Sequence, residues 1–85
     1  MMKTIAKLVT AHSDMSLGNH RVEFNEERGH LILNYWYHST IICTVDMNEK
    51  TFKTTDGGWS TMSTHRAIND YKKYYEAQGY KDLTA

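Results

Sequence analysis

No proline occurs anywhere in the 85 residues, so chain reversals fall to glycine, asparagine and hydroxyl-rich turns. One cysteine, Cys43, is present, which excludes an internal disulfide and any multi-thiolate metal site and points to a reducing, cytoplasmic setting. Net charge is also lacking: ten Lys and Arg balance ten Asp and Glu. That balance removes the broad positive field with which non-specific nucleic-acid binders collect phosphates, while leaving room for a local basic patch. No apolar run approaches the roughly 18 residues of a membrane span, and no membrane partner is expected. The opening "MMKTIAKLVTAHSD" is broken by Lys7 before it reaches the length of a signal-peptide core, and it reads as mature structure. Without a Gly/Ser or Pro-rich linker or an internal repeat, residues 1–85 read as a single small domain with one compact core.

Against these absences stands clear periodicity. Arg21 to Asn25 alternates strictly, with Val22 and Phe24 on one face. Gly29 follows as a turn, and Leu31 to Tyr37, "LILNYWY", is rich in strand-forming residues. Ile41 to Asp46 forms a further β-branched run, and Lys50 to Thr55 a weaker one built around Phe52. Short connections between them predict hairpins, hence an antiparallel meander of three or four strands. After the glycines the period changes. Ala67, Ile68, Tyr71, Tyr74 and Tyr75 make one stripe of an amphipathic helix from about Thr64 to Gln78, capped by Thr64 or Ser63 and ended by Gly79. Ile5, Leu8, Val9 and His12 fit a short N-terminal helix, although "TIAKLVTA" reads also as a strand. The fold class is therefore α+β, an antiparallel sheet packed by a C-terminal amphipathic helix, with a short N-terminal element.

The junction "TTDGGWSTMSTHRAINDY" joins sheet to helix. Gly57 and Gly58 supply a turn, and Trp59 is expected to pack between the sheet edge and the first helical turn, with Thr61, Ser63 and Thr64 satisfying free N–H groups. An anion site with Arg66 at that helix start is the functional alternative, but no phosphate-loop lysine completes it.

Candidate chemistry is sparse. His12, His20, His30, His38 and His65 show no helical i, i+4 pairing and no accompanying cysteine pair, so no metal or other cofactor is expected. Cys43 lies within a β-branched strand, where it acts as a buried apolar group, and Glu26 and Glu27 read as a solvated turn. The chain thus reads as non-enzymatic. Its aromatics are the remaining signal. Tyr35, Trp36 and Tyr37 are consecutive, so a strand must point Trp36 away from the tyrosines, and a sheet with one dry face leaves one side of this triplet outward unless the N-terminal segment covers it. If Leu31 and Leu33 set the core face, Tyr35 and Tyr37 go inward, and Ile32, Asn34, Trp36 and His38 look out. The alternative register buries Ile32 and Trp36.

The stretch "YHSTIICTVDMNEKTFKTTDGGWSTMSTHRAIN" resembles a pattern in small bacteriophage and prophage proteins. Its closing motif comprises Gly57, Gly58, Trp59, Thr61, Ser63, Thr64, Ile68 and Asn69, and the resemblance covers residues 34–69. It implies a phage origin and a small sheet closed by a helix, and it carries no catalytic residues. Phage proteins of this size often bind and disable a host protein. The expected function is therefore an accessory protein that inhibits a host protein, such as an anti-defence or anti-CRISPR inhibitor acting in the host cytoplasm. Its expected binding residues are Trp36 or the Tyr35/Tyr37 pair, His38, and the basic residues Arg66, Lys72 and Lys73. A second reading is a nucleic-acid module with bases stacked on the exposed aromatics. A third is a homodimer paired through a strand edge.

Overall fold

The structure, a computed structural model, describes residues 1–84. Its elements run α1 (Lys3–Val9), β1 (Met15–Leu17), β2 (His20–Glu27), β3 (His30–Tyr37), β4 (Thr40–Asp46), β5 (Thr51–Thr54), α2 (Met62–Ala77) and β6 (Lys81–Asp82). The strands form one sheet in sequence order, antiparallel except for the final β5/β6 pair. This is the α+β meander and C-terminal helix expected from the sequence, with six strands where three or four were predicted. The two extra strands are the edges, of three and two residues, too short for periodicity to reveal. The N-terminal segment, which the sequence left open between a short helix, an irregular edge element and a strand, is a short helix.

Register explains which side chains are dry. Val22 pairs with Tyr35, Leu33 with Val45, Tyr35 with Cys43 and Val45 with Phe52. All six lie in one buried cluster that also takes Ile5 and Leu8 from α1 and Ala67, Ile68, Tyr71 and Tyr75 from α2. Both helices therefore sit on the same face of the sheet. A bulge sets Ile41 and Ile42 of β4 against Trp36, which turns Ile42 into the core while Ile41 stays on the other face.

The helix stripe packs largely as its periodicity indicates: Ala67, Ile68, Tyr71 and Tyr75 are buried and Tyr74 is half-buried. Thr61 caps the helix, its hydroxyl accepting the Thr64 N–H at 3.2 Å, so the cap lies upstream of the predicted Thr64 or Ser63. Thr64 is instead buried beneath the first turn. Gly79 ends the helix as expected. At φ 86° it lets its own N–H reach Glu76 O and the Tyr80 N–H reach Tyr75 O, while the Tyr80 ring packs 5.1 Å from that of Tyr75. The chain then returns to the sheet, where the Lys81 and Leu83 N–H groups donate to Lys50 O and Phe52 O.

Three tyrosines form the centre of the core. Tyr35 and Tyr71 are fully buried with ring centroids 4.3 Å apart, and the Tyr35 hydroxyl is hydrogen-bonded to that of Tyr75. Burial raises all three phenols above their ordinary range. Burial likewise pushes the Cys43 thiol up, in keeping with a structural cysteine. The Tyr71 hydroxyl has no partner among the described residues. Tyr71→Phe should consequently be neutral or stabilising, because it removes an unsatisfied polar atom. Tyr35→Phe should cost about 1 to 3 kcal/mol by leaving the Tyr75 oxygen unpaired. Urea unfolding of the two variants checks this ordering.

Candidate functional site

Because both helices lie on one face, the opposite face of the sheet has no covering helix or strand among the described residues. Its side chains form rows set by register. Arg21, Trp36 and Ile41 line up across β2, β3 and β4, followed by Glu23, Asn34, Thr44 and Lys53 across four strands. The Arg21 guanidinium carbon lies 4.4 Å from the Trp36 ring centroid, a cation–π contact, and the Trp36 indole N–H points to Glu23 Oε1 at 3.4 Å. Asn25 donates to the same Glu23 oxygen, and the Thr44 hydroxyl donates to Asn34. Trp36 is thus a half-buried aromatic held in a fixed orientation on an open surface. The structure realises the register that points Leu33, Tyr35 and Tyr37 inward. Ile32 is nevertheless buried on the outer face.

At one end of the other layer, a groove of about 450 Å³ opens between the β3–β4 turn and the start of α2. Tyr37, Ile42, Asp56, Trp59, Thr61 and Thr64 contribute to its walls. The Tyr37 ring is held between His20, stacked at 4.7 Å, and His38 at 4.4 Å. His38 occupies a left-handed conformation, φ 54°, and its N–H is held by Asn19 O. The junction that forms the far wall is closely tied. Asp56 Oδ1 accepts the Gly58 N–H at 2.8 Å, Thr55 Oγ1 accepts that of Gly57, Asp56 O that of Trp59, and Trp59 O that of Thr61. Yet the Trp59 side chain is 65% exposed. The expectation that Trp59 packs under the helix is therefore corrected. Thr64, Ala67 and Ile42 are buried beside the groove without it, and the chain passes so close to Thr40 that a Cβ on Gly57 would stand 2.4 Å from Thr40 Cγ2.

The remaining predicted binding residues do not converge. Tyr35 is fully buried and offers no surface, which removes it from the predicted binding set. Arg66 and Lys73 are exposed on α2 beside Asp70, on the opposite side of the sheet from Trp36. Lys72 is engaged 3.5 Å from the Asp82 carboxylate. Sequence reasoning missed Arg21 and Ile41 as neighbours of Trp36. Counting the two-residue turn at Arg28 and Gly29 gives Glu27 opposite His30, and hence Arg21 opposite Trp36.

Several polar groupings have purely local geometry. His65 Nε2 lies 3.3 Å from Ser60 Oγ and 3.7 Å from Asp56 Oδ2; one nitrogen faces both, so the base–orienter order of a relay is absent. His30 Nδ1 meets Asp46 Oδ2 at 2.9 Å, which raises His30 and lowers Asp46 from their ordinary values, while Asp46 Oδ1 also accepts the N–H groups of Asn48 and Glu49. This is a turn brace. Among the described residues no three His, Cys, Asp or Glu side chains converge to hold a metal ion, and no helix is long and apolar enough to cross a membrane. Comparison with protein-family models, with curated proteins and with solved structures gives no match.

Two measurements follow from this geometry. Gly57→Ala should cost roughly 2 to 4 kcal/mol, from positive φ plus the Thr40 contact. Gly58→Ala, at φ 89° in open space, should cost only about 1 to 2, and Thr40→Ser should recover part of the Gly57→Ala loss. Chemical denaturation of Gly57→Ala, Gly58→Ala and the Gly57→Ala/Thr40→Ser double variant reads the pattern. His20 is held below its ordinary value, first by burial and then by His38. The unfolded chain therefore takes up this proton more readily, and His20's contribution is full above pH 6.5 and lost as pH falls through the folded value. His20→Phe should lose less stability than the wild type on acidification over that window, measured by urea midpoints. His30 has the opposite sign and serves as the internal control.

Proposed function

We propose that this protein is a non-enzymatic, phage-encoded accessory protein that binds and inhibits a host protein, as an anti-defence inhibitor does. The observation that carries the reading is the uncovered sheet face, where Trp36 is braced between Arg21 and Glu23 beside Ile41. An aromatic with an adjacent arginine, rigid before contact, loses little conformational freedom on binding, and Trp and Arg dominate binding hot spots. The phage assignment rests on the resemblance of the Gly57 to Asn69 motif. Zero net charge favours a shaped apolar and polar surface over mimicry of DNA by acidic charge.

The rival readings have weaker geometric support. For a nucleic-acid module, the helix cations Arg66 and Lys73 lie on the opposite side of the sheet from Trp36, and on the Trp36 face Arg21 and Lys53 are interleaved with Glu23. Edge-to-edge dimerisation has only three- and two-residue edges to work with.

The test is affinity capture of the tagged protein from host lysate, with nuclease treatment in one arm. A nuclease-resistant host protein in stoichiometric amount is the expected result. The variant Trp36→Ala should weaken that capture by about 2 kcal/mol or more, roughly thirtyfold, with its circular dichroism unchanged. Recovery of nucleic acid alone, lost on digestion, or capture indifferent to Trp36, would reject the proposal.

A further inference from the structure

The two tryptophans differ in how they are satisfied. Trp36 has Arg21 over its ring and Glu23 at its indole N–H. Trp59 has neither an aromatic nor a cationic side chain stacked on it among the described residues, and it forms one wall of the groove between the β3–β4 turn and α2. The backbone that carries it is fixed on both sides by the Asp56, Gly58 and Thr61 hydrogen bonds. An exposed indole on a fixed backbone beside a cavity is a ready platform for a flat ligand face.

The rest of the lining sets the ligand's chemistry. The volume, about 450 Å³, falls in the range of small-molecule sites. Tyr37 and Ile42 supply an apolar base. The polar residues are Ser39, Thr40, Thr61, Ser63 and Thr64 with their hydroxyls, His38 with its imidazole, and one carboxylate, Asp56. Lysine and arginine are absent from the lining, so a phosphate or carboxylate ligand would meet Asp56 without a neutralising partner. The attraction of Asp56 for a cationic ligand is partly offset, because the groove adjoins the positive end of the sixteen-residue helix α2, about half a charge, and Asp56 Oδ1 already accepts the Gly58 N–H. What remains is a neutral ligand with one apolar face and many groups that both donate and accept. A pyranose ring has this pattern: its C–H face lies on an indole, and its hydroxyls donate to a carboxylate while accepting from other hydroxyls.

We infer that the groove is a binding site for a neutral saccharide ring, stacked on Trp59 and hydrogen-bonded to Asp56 and the surrounding hydroxyls. This goes beyond the host-protein reading, whose surface is the opposite face of the sheet. The two are separable by variant, since Trp59→Ala addresses the groove and Trp36→Ala the open face.

Nuclear magnetic resonance titration tests the inference, with methyl α-D-glucopyranoside, methyl β-D-galactopyranoside and N-acetyl-D-glucosamine as probes. A single ring of this size should bind in the millimolar range. The expected result is a saturable shift of the Trp59 indole N–H and the Gly58 amide with at least one sugar. Trp59→Ala should abolish the effect at the Gly58 amide. Asp56→Asn, which keeps the oxygen that accepts the Gly58 N–H, should weaken binding about tenfold while leaving the remaining spectrum in place. Inorganic phosphate and argininamide should leave both signals unmoved. No saturable shift with any of the three sugars, a Gly58 shift that survives Trp59→Ala, or a response to the charged probes instead would overturn the inference.

Discussion

Helix α2 meets the sheet through aromatic packing, with Tyr71 against Tyr35 and the Tyr75 hydroxyl joined to that of Tyr35. A chain of this size can bury about 60 to 65% of its unfolded surface, so it has material for one apolar layer and no more. The tyrosines, with Ile5 and Leu8 from α1, draw both helices onto the same face. Every other feature follows from that choice. The opposite face stays open, the core positions of β2 to β5 alternate with outward ones that include Trp36 and Ile41 among polar residues, and the chain must cross from β5 to α2 by a short route.

That crossing explains the composition of the junction. Gly57 passes against Thr40 where no Cβ fits, and Asp56 and Thr61 hold the flanking backbone. Trp59, carried on this fixed loop, is more exposed than any other aromatic whose burial was expected. The molecule thus presents two tryptophans in different settings. Trp36 is braced on a flat sheet and suited to a broad protein surface, whereas Trp59 stands beside a concave groove and suits a small ring.

Much of this was legible in the sequence, and the exceptions have physical reasons. The alternation of Val22 and Phe24 and the stripe from Ala67 to Tyr75 carry the periods of a half-buried strand and an amphipathic helix, so those elements were readable. Strands β1 and β6 are too short to show a period, and the parallel pairing of β6 depends on where Gly79 and Tyr80 redirect the chain. The facing of Tyr35 and Trp36 was limited to two registers, and the packing of Tyr71 decides between them. Bulk and hydrophobicity argue for burial of Trp59, whereas its side chain stands exposed at the groove that Ile42 and Thr64 also line, a placement set by the backbone path and not by composition. The bulge at Ile41 and Ile42 left no signal in local composition either, since two β-branched residues read the same in either orientation.

Hydroxyl-radical footprinting of the free protein, read residue by residue by mass spectrometry, tests the one-faced architecture most directly. The account expects Trp59 and Met62 to be oxidised fastest, Trp36 at an intermediate rate, and Tyr35, Tyr71 and Phe52 to be protected as long as the protein stays folded. Oxidation of Tyr35 and Tyr71 at the rate of Trp59, or protection of Trp36 and Trp59 together with the core tyrosines, would contradict a sheet covered on one face and open on the other.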